Sequence, residues 1–213
     1  MCIRDSAYKV GKVLADESKE NGISINLGPG GNLHRNILCG RHPEYYSEDP
    51  ILTGTLMAYQ ARGLEENGVI ATYKHLIANN MEFERKSAHG IIDENTLRDL
   101  YLRVFDKAFS LYKPGCVMTS YNPVNGIYPC ENSALLNDLL RDEWGFDGFV
   151  MTDWGSYDTA DSIRSVCAGT NLLTPGSKKH FRMILKAVKR NEISKAALQH
   201  SVKQIMKVLV RWI

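Results

Sequence analysis

The segment FVMTDWG, residues 149–155, joins a short apolar run to an acidic and an aromatic side chain. Phe149, Val150 and Met151 have the length and composition of a strand that is buried on both faces. Similar runs occur at residues 22–27 (GISINL), 69–73 (VIATY) and 116–120 (CVMTS), and residues 171–173 form a weaker fifth candidate. Short buried strands separated by longer segments are typical of a parallel sheet.

The segments between these runs carry helical patterns. Residues 96–109 place their apolar side chains on one stripe, and Asp93 stands where an N-cap would lie. Further helices are predicted at residues 133–141, 158–167, 178–190 and 194–211, the last capped by Ser194. Alternation of strands and helices favours either a doubly wound sheet or a (β/α)8 barrel, and the absence of a GxGxxG turn after the first strand weakens the nucleotide-binding form.

The number of predicted strands bears on which fold this is. A (β/α)8 barrel takes about 250 residues and eight strands. The chain has 213 residues and about five predicted strands. We therefore expect an α/β fold of the TIM-barrel type that is incomplete, with its first strands missing.

Composition excludes several classes of protein. Hydrophobic residues make up 44% and charged residues 23%, and the formal net charge is +2, so neither nucleic acid nor a membrane is expected as a partner. The five cysteines are odd in number and form no CxxC pair, which predicts no metal site and favours a reducing, cytoplasmic location; secretion or a periplasmic location stays open. Residues 1–6 (MCIRDS) fit nothing downstream, so we expect an artefactual or non-native start and a domain spanning residues 7–213.

Polar and aromatic side chains follow three of the apolar runs. Lys74 and His75 follow the second, Tyr121 follows the third, and Asp153 and Trp154 follow the fourth. In a barrel the carboxyl ends of the strands share one rim, which is where the chemistry lies. A carboxylate, two cationic or polar groups and an aromatic face suit a sugar, because they bind hydroxyls and stack on the ring.

Ordinary structural roles compete with that interpretation. Asp153 could cap the following helix, and Tyr121 could simply be packed. Arg41 lies in a polar stretch and could be a solvated loop charge paired with a neighbouring acid, such as Glu44 or Glu48. From the residues alone, a sugar site and a set of unrelated polar side chains stay equally open.

Five longer motifs carry a resemblance to a known family. They occur in the order and spacing found in family-three glycoside hydrolases, the large β-glucosidase family, and the likeness runs from about residue 7 to the end of the chain. The motifs are GPGGNLHRNILCGRHPEYYSEDPILTG (residues 28–54), ATYKHLIANNMEFER (71–85), DENTLRDLYLRVF (93–105), VMTSYNPVNGIYPCEN (117–132) and LLRDEWGFDGFVMTDWG (139–155).

The resemblance implies roles for particular residues. Asp153 matches the nucleophile, which attacks the anomeric carbon in a retaining double displacement. Sugar-binding positions are implied for six further side chains: Arg41, Lys74, His75, Met118, Tyr121 and Trp154. Nearby cations are expected to keep Asp153 ionised. No metal or organic cofactor is implied.

The resemblance also implies parts that lie outside this chain. The family's barrel includes an aspartate, in a stretch resembling DGPxGxR, that binds outer hydroxyls of the sugar. Most β-glucosidases of the family carry their general acid/base glutamate on a second α/β domain of the same gene product. Neither has a counterpart here, so we expect this chain to be part of a longer protein and to be inactive alone.

The implied substrate is a small β-linked oligosaccharide or an aryl glucoside, cleaved at its terminal non-reducing β-D-glucosyl residue. A β-xylosidase or α-arabinofuranosidase of the same family is the alternative, and a catalytically inactive barrel is another. Departures from the family pattern at His42-Pro43, Asn171 and Thr174 bear on the substrate more than on the reaction. The N-acetylhexosaminidase branch carries KHFPGHG where this chain reads KHLIANNMEFER, which argues against that branch.

Overall fold

A computed structural model of the chain describes residues 2–212 and has a parallel sheet with helices around it. The four strands are β1 (Ile25–Asn26), β2 (Ile70–Leu76), β3 (Cys116–Thr119) and β4 (Phe149–Met151). The seven α-helices are α1 (Ile3–Glu20), α2 (Pro50–Glu65), α3 (Glu94–Thr96), α4 (Arg103–Leu111), α5 (Ser162–Ala168), α6 (Lys178–Lys189) and α7 (Lys195–Trp212). Two π-helical segments, Leu97–Leu102 and Ala134–Glu143, and three short 3-10 turns complete the order.

The strands are neighbours in the order in which they occur in the chain, β1-β2-β3-β4, and every pair is parallel. Sequential parallel strands linked by helices are the pattern of a βα barrel wall. Within residues 2–212 this wall is not closed, so the structure is an open, partial barrel. No helix of this part of the chain is long and apolar enough to span a membrane.

The four main strand predictions are confirmed, with shifted ends. β2 continues to Leu76, so Lys74 and His75 lie within the strand rather than after it. The predicted strand at residues 171–173 is wrong, because only a single parallel bridge joins Leu172 to Met151. The reason is local: the side chain of Asn171, rather than a backbone carbonyl, accepts the hydrogen bond from Val150 N at 2.7 Å.

The five predicted helices are all present within residues 2–212, but not always with the predicted extent or as single α-helices. Residues 158–167 were expected to be one helix, but residues Ser156–Asp158 form a separate 3-10 turn and α5 begins at Ser162. Asp161 determines that start, since its carboxylate accepts from the N–H groups of Ile163 and Arg164 at 2.8 and 2.9 Å.

Two helices escaped the sequence patterns altogether. These are α1 and α2. α2 is buried on several sides and so lacks a clear apolar stripe. α1 packs against α2 and has a glycine where the two helices cross. A Cβ on Gly11 would meet the backbone oxygen of Gln60 at 2.1 Å, so only glycine permits this close approach. Ile3–Ser6 form the first turn of α1; whether residues 1–6 are native stays a prediction.

The strands are buried on both faces, as expected for a parallel sheet covered by helices. On the outer face, Tyr73, Phe109 and Trp144 belong to one large core, with the rings of Phe109 and Trp144 stacked at 5.4 Å. On the inner face, a second apolar cluster contains Ile70, Cys116, Met118, Phe149 and Met151. The strand ends are thereby held at fixed positions along one edge.

A buried carboxylate binds the amino-terminal ends of β2 and β3, at the edge of the sheet opposite Asp153. Glu65 is 3% exposed, and its Oε1 accepts from the N–H groups of Gly115 and Ala71 at 2.7 and 3.1 Å, while its Oε2 accepts from the Tyr112 hydroxyl at 2.9 Å. Burial raises the pKa of Glu65, although these hydrogen bonds oppose the rise. The side chain thus connects the end of α2 to two strands.

Glu65→Ala is expected to lower the free energy of unfolding by about 2–5 kcal/mol, because two buried N–H groups lose their acceptor. Glu65→Gln keeps an acceptor oxygen and removes the buried charge, so it should change that free energy by less than about 1 kcal/mol. Urea unfolding of the two variants measures this. Equal losses for both variants would show that the charge, rather than the acceptor, matters.

Candidate active site

Asp153 lies two residues beyond β4, at the carboxyl edge of the sheet, and is 7% exposed. Its Oδ1 accepts from the backbone N–H of Trp154 at 2.7 Å. Its Oδ2 has no hydrogen-bond partner although it is buried. One oxygen is therefore held in place and the other is left free to react or to bind.

Two predicted site residues lie beside this free oxygen. His75, from β2, places Nε2 at 3.4 Å from Asp153 Oδ2, and Arg41, from the loop after β1, places Nη1 at 3.9 Å. Arg41 immediately precedes the 3-10 turn His42–Glu44. Side chains from β2 and from the loop after β1 therefore lie beside one carboxylate that follows β4.

Lys74 reaches the same cluster through an acidic side chain that the sequence patterns did not single out for the site. Lys74 Nζ lies 2.9 Å from Glu44 Oε2, and Arg41 Nε donates to Glu44 Oε1. Burial would raise the pKa of Glu44, but the hydrogen bonds from Arg41 and Lys74 outweigh it and lower that pKa. Arg41 thus forms the expected loop pair with Glu44 and also lies near Asp153, while its role in sugar binding stays a prediction.

His75 is 1% exposed and is enclosed by hydrogen-bonding side chains. Its Nδ1 faces the Tyr45 hydroxyl at 3.1 Å and Asn32 Oδ1 at 3.3 Å, and Arg41 Nη2 lies 2.9 Å from its Nε2. Asn32 and Tyr45 were not predicted as site residues. Their only sequence signal is that they share one conspicuous stretch, residues 28–54, with Arg41.

Tyr121 and Trp154 form the aromatic side of the site. The Tyr121 hydroxyl donates to the backbone carbonyl of Trp154 at 2.6 Å, and Trp154 remains 60% exposed at the rim. Burial and the negative charge of Asp153 raise the pKa of Tyr121 to about 12, which keeps the phenol protonated. The Arg85 guanidinium lies 5.1 Å from the centre of the Tyr121 ring, adding a cation that the sequence patterns did not indicate.

The loop that carries Trp154 is held by an ion pair and a hydrogen bond to the loop that follows β2. Lys86 pairs with Asp158 at 2.8 Å and approaches the carbonyl of Gly155 at 3.4 Å. Gly155 has φ of 77°, a conformation that glycine adopts without strain. These contacts hold the exposed indole next to the loop that follows β2.

Met118 is the predicted residue that the structure does not bring to this cluster. It is buried in the inner apolar cluster with Cys116, Phe149 and Met151. No hydrogen bond, ring contact or ion pair recorded for the described residues joins it to Asp153. Its role in sugar binding therefore stays a prediction.

The pKa of Asp153 reflects opposing effects. Burial raises the pKa of Asp153; the N–H of Trp154, the charge of Arg41, the Tyr121 hydroxyl and the charge of Lys74 lower it without cancelling the rise. The two cations therefore act in the expected direction, toward the ionised form, although both also pair with Glu44. That they keep Asp153 ionised stays a prediction.

Asn171 and Thr174, two departures from the family pattern, have structural contacts. Asn171 Oδ1 accepts from Arg141 Nη2 at 2.9 Å as well as from Val150 N, and Thr174 Oγ1 bonds the backbone carbonyl of Thr152. These bonds fasten the segment after α5 to β4. His42 is likewise engaged, since its ring stacks on that of His34 at 4.2 Å.

The arrangement offers a nucleophilic or charge-stabilising carboxylate, donors for hydroxyl groups and an exposed aromatic face. Within residues 2–212, no group of three His, Cys, Asp or Glu side chains is placed to hold a metal ion. The chemistry within reach of these residues is therefore that of a carboxylate surrounded by hydrogen-bond donors.

Comparisons with known proteins cover nearly the whole chain. Residues 2–208 match the family model of the glycosyl hydrolase family 3 N terminal domain. The chain is 41% identical over 207 residues to thermostable beta-glucosidase B of Acetivibrio thermocellus and 38% identical over 209 residues to probable beta-glucosidase J of Aspergillus fumigatus. Each match covers 97% of this chain but 27% and 24% of the relative, so the chain spans about a quarter of their length.

Solved structures show the same likeness. Beta-glucosidase 3B from Thermotoga neapolitana, in complex with glucose, superposes with a TM-score of 0.93 at 40% identity, over 97% of this chain and 30% of that one. The family 3 beta-glucosidase of Bifidobacterium adolescentis gives a TM-score of 0.91 at 35% identity, over 96% of this chain and 30% of that one. These neighbours bear out the partial barrel seen in the strand order.

Replacing Arg41 with methionine is expected to raise the pKa of Asp153 further, because a cation that lowers it is lost. A carbon-13 NMR titration of labelled aspartate, assigned with Asp153→Asn, measures this pKa. Arg35→Met is the matched control, since Arg35 is an exposed arginine of the same loop. An unchanged or lower pKa in Arg41→Met would contradict the electrostatic account.

Proposed function

Since this chain belongs to glycosyl hydrolase family 3, we propose that it forms the barrel part, residues 7–213, of a retaining β-glucosidase in which Asp153 is the nucleophile. The observation that carries the proposal is the free Oδ2 of Asp153. It is buried at the strand edge, lacks a hydrogen-bond partner, and lies beside His75 and Arg41. Most buried carboxylate oxygens have a hydrogen-bond partner, so an unpartnered one at this edge of the sheet is available to react.

In the first half of the proposed reaction, Oδ2 of Asp153 attacks the anomeric carbon. The bond from that carbon to the glycosidic oxygen breaks, and the departing oxygen takes a proton from a general acid. In the second half, the same acid, now a base, removes a proton from water. The water oxygen attacks the anomeric carbon, the ester bond to Oδ2 breaks, and the carboxylate returns.

The general acid is proposed to be a glutamate on a second α/β domain of the same protein. Glu44 is the carboxylate that pairs with Arg41 and Lys74, and its lowered pKa makes it a poor proton donor. The length of the curated relatives, about four times that of this chain, leaves room for such a domain.

Arg41, Lys74 and His75 are proposed to contact the hydroxyls of the sugar bound at Asp153, Arg41 and Lys74 as donors and His75 as an acceptor through Nε2, and Trp154 is proposed to stack on the ring. Arg41 and Lys74 already share Glu44, so they present a fixed pair of donors at the site entrance. Trp154 offers the exposed aromatic surface that such stacking needs. Fixed donors place the anomeric carbon in line with Oδ2, which is where much of the rate enhancement arises.

A terminal β-D-glucosyl residue of a small oligosaccharide or aryl glucoside is the proposed substrate. Both the curated relatives and the structural neighbours are β-glucosidases by name, and one neighbour holds glucose. A β-xyloside or α-arabinofuranoside is the alternative within the same chemistry. Aryl glycosides of the three sugars, compared by kcat/KM, distinguish these substrates.

In the whole protein, Asp153→Asn is expected to lower kcat/KM for an aryl β-glucoside by at least about 10⁴-fold, because an amide forms no glycosyl ester. Asp147→Asn is the matched control: Asp147 is an exposed aspartate just before β4, at the other end of the strand. A loss of only a few-fold in Asp153→Asn, or an equal loss in the control, would rule out Asp153 as nucleophile.

The released glucose is expected to appear first as the β-anomer, since two displacements at one carbon retain its configuration. Proton NMR of the reaction, recorded before mutarotation equilibrates the anomers, follows the anomeric signals directly. Initial appearance of the α-anomer would replace the double displacement with a single attack by water.

A further inference from the structure

The two ring nitrogens of His75 face different partners. Nε2 lies 2.9 Å from Arg41 Nη2 and 3.4 Å from Asp153 Oδ2. Nδ1 lies 3.1 Å from the Tyr45 hydroxyl and 3.3 Å from Asn32 Oδ1. Which nitrogen carries the proton decides which of these contacts are hydrogen bonds.

The ring carries a single proton. Burial, together with the positive charges of Arg41, Lys74 and Arg85, holds the pKa of His75 well below its usual range. Neutral imidazole has one N–H and one lone pair in the ring plane, so two tautomers are possible.

Arg41 selects between them. A guanidinium has only N–H groups and never accepts, so the Nε2 atom at 2.9 Å from Arg41 Nη2 must be the acceptor. The proton of His75 then belongs on Nδ1. In the opposite tautomer, two N–H groups would point at each other across this contact.

Asn32 selects the same tautomer independently. Its Nδ2 donates to the backbone carbonyl of His75 at 2.9 Å and its Oδ1 accepts from the backbone N–H of His75 at 3.0 Å, which fixes which end of the amide is oxygen. That oxygen is the atom that faces Nδ1. The Tyr45 hydroxyl fits either tautomer because it can donate or accept.

We infer that Asn32 is a positioning residue that holds His75 in the Nδ1–H tautomer. In that tautomer Nε2 accepts a hydrogen bond from Arg41 and cannot donate one to Asp153 Oδ2. In the other tautomer, Nε2 would place an N–H 3.4 Å from that oxygen, the atom proposed to attack the anomeric carbon. In the Nδ1–H tautomer Nε2 has no proton to offer Oδ2, which is compatible with the absence of a hydrogen-bond partner there. The catalytic consequence rests on the proposed function, but the tautomer itself does not.

Histidine labelled with nitrogen-15 in the whole protein tests the tautomer directly. The His75 signals are assigned by their loss in His75→Gln. In the expected tautomer, the unprotonated nitrogen is the one that couples to both carbon-bound ring protons, which identifies it as Nε2. A protonated Nε2, alone or together with a protonated Nδ1, would overturn the inference.

Substitutions of Asn32 test its part in this arrangement. Asn32→Ala is expected to shift His75 toward the Nε2–H form and to lower kcat/KM about 10²-fold, the order of loss that a small misplacement of reacting groups causes. Asn32→Asp restores an oxygen facing Nδ1 and should retain the Nδ1–H form. Asn79→Ala is the matched control, because Asn79 is equally buried but contacts the Tyr45 hydroxyl rather than the ring.

The outcomes separate this inference from the proposed function. An Nδ1–H tautomer in a protein without glycosidase activity would contradict the proposed function and still support the inferred tautomer. The inference alone would be wrong if the active enzyme had a protonated Nε2. It would also be wrong if Asn32→Ala left the nitrogen signals unaltered. Loss of the Nδ1–H form in Asn79→Ala would also count against Asn32, since it would assign the selection to Tyr45.

Discussion

A buried carboxyl group with one unpaired oxygen is the constraint on which this end of the sheet depends. Removing Asp153 from water disfavours its charged form, and the structure offsets that cost with few donors. Only the Trp154 N–H bonds its oxygens directly, while Arg41 and His75 stand slightly farther away. The residues that surround Asp153 must therefore stabilise the carboxylate without occupying the oxygen that reacts in the proposed mechanism.

The charges around Asp153 are arranged in a chain rather than as a direct pair. Lys74 and Arg41 both contact Glu44, and Arg41 continues to His75 and Asp153. Two cations and two carboxylates balance when His75 is neutral. In the proposed glycosyl ester Asp153 has lost its charge, so the cluster is left with one excess positive charge. That excess favours return of the carboxylate, which is the second half of the reaction.

Part of this site follows from the sequence because parallel strands bring their carboxyl ends together. Short apolar runs predicted β2, β3 and β4, and the residues beside their ends, His75, Tyr121 and Asp153, do lie together. Glu44, Asn32 and Tyr45 could not be placed in the same way. They come from an irregular loop, and their contacts with Lys74 and His75 depend on how that loop folds back over β2.

Other errors have equally local causes. The prediction of a fifth strand is wrong because the side chain of Asn171, rather than a backbone carbonyl, accepts from Val150 N. No apolar pattern reveals this. α2 was missed because burial on several sides removes the stripe by which helices are recognised. The direction of the Asp153 pKa follows from how deeply the carboxylate is buried, and spacing along the chain does not contain that depth.

The most direct test of the account is to trap the glycosyl ester in the whole protein with an activated 2-deoxy-2-fluoro-β-glucoside. The fluorine slows hydrolysis of the ester, so the sugar stays attached to the nucleophile and is located by mass spectrometry of the digested protein. The account predicts a single labelled residue, Asp153, and no label in Asp153→Asn. A label on any other side chain would contradict it.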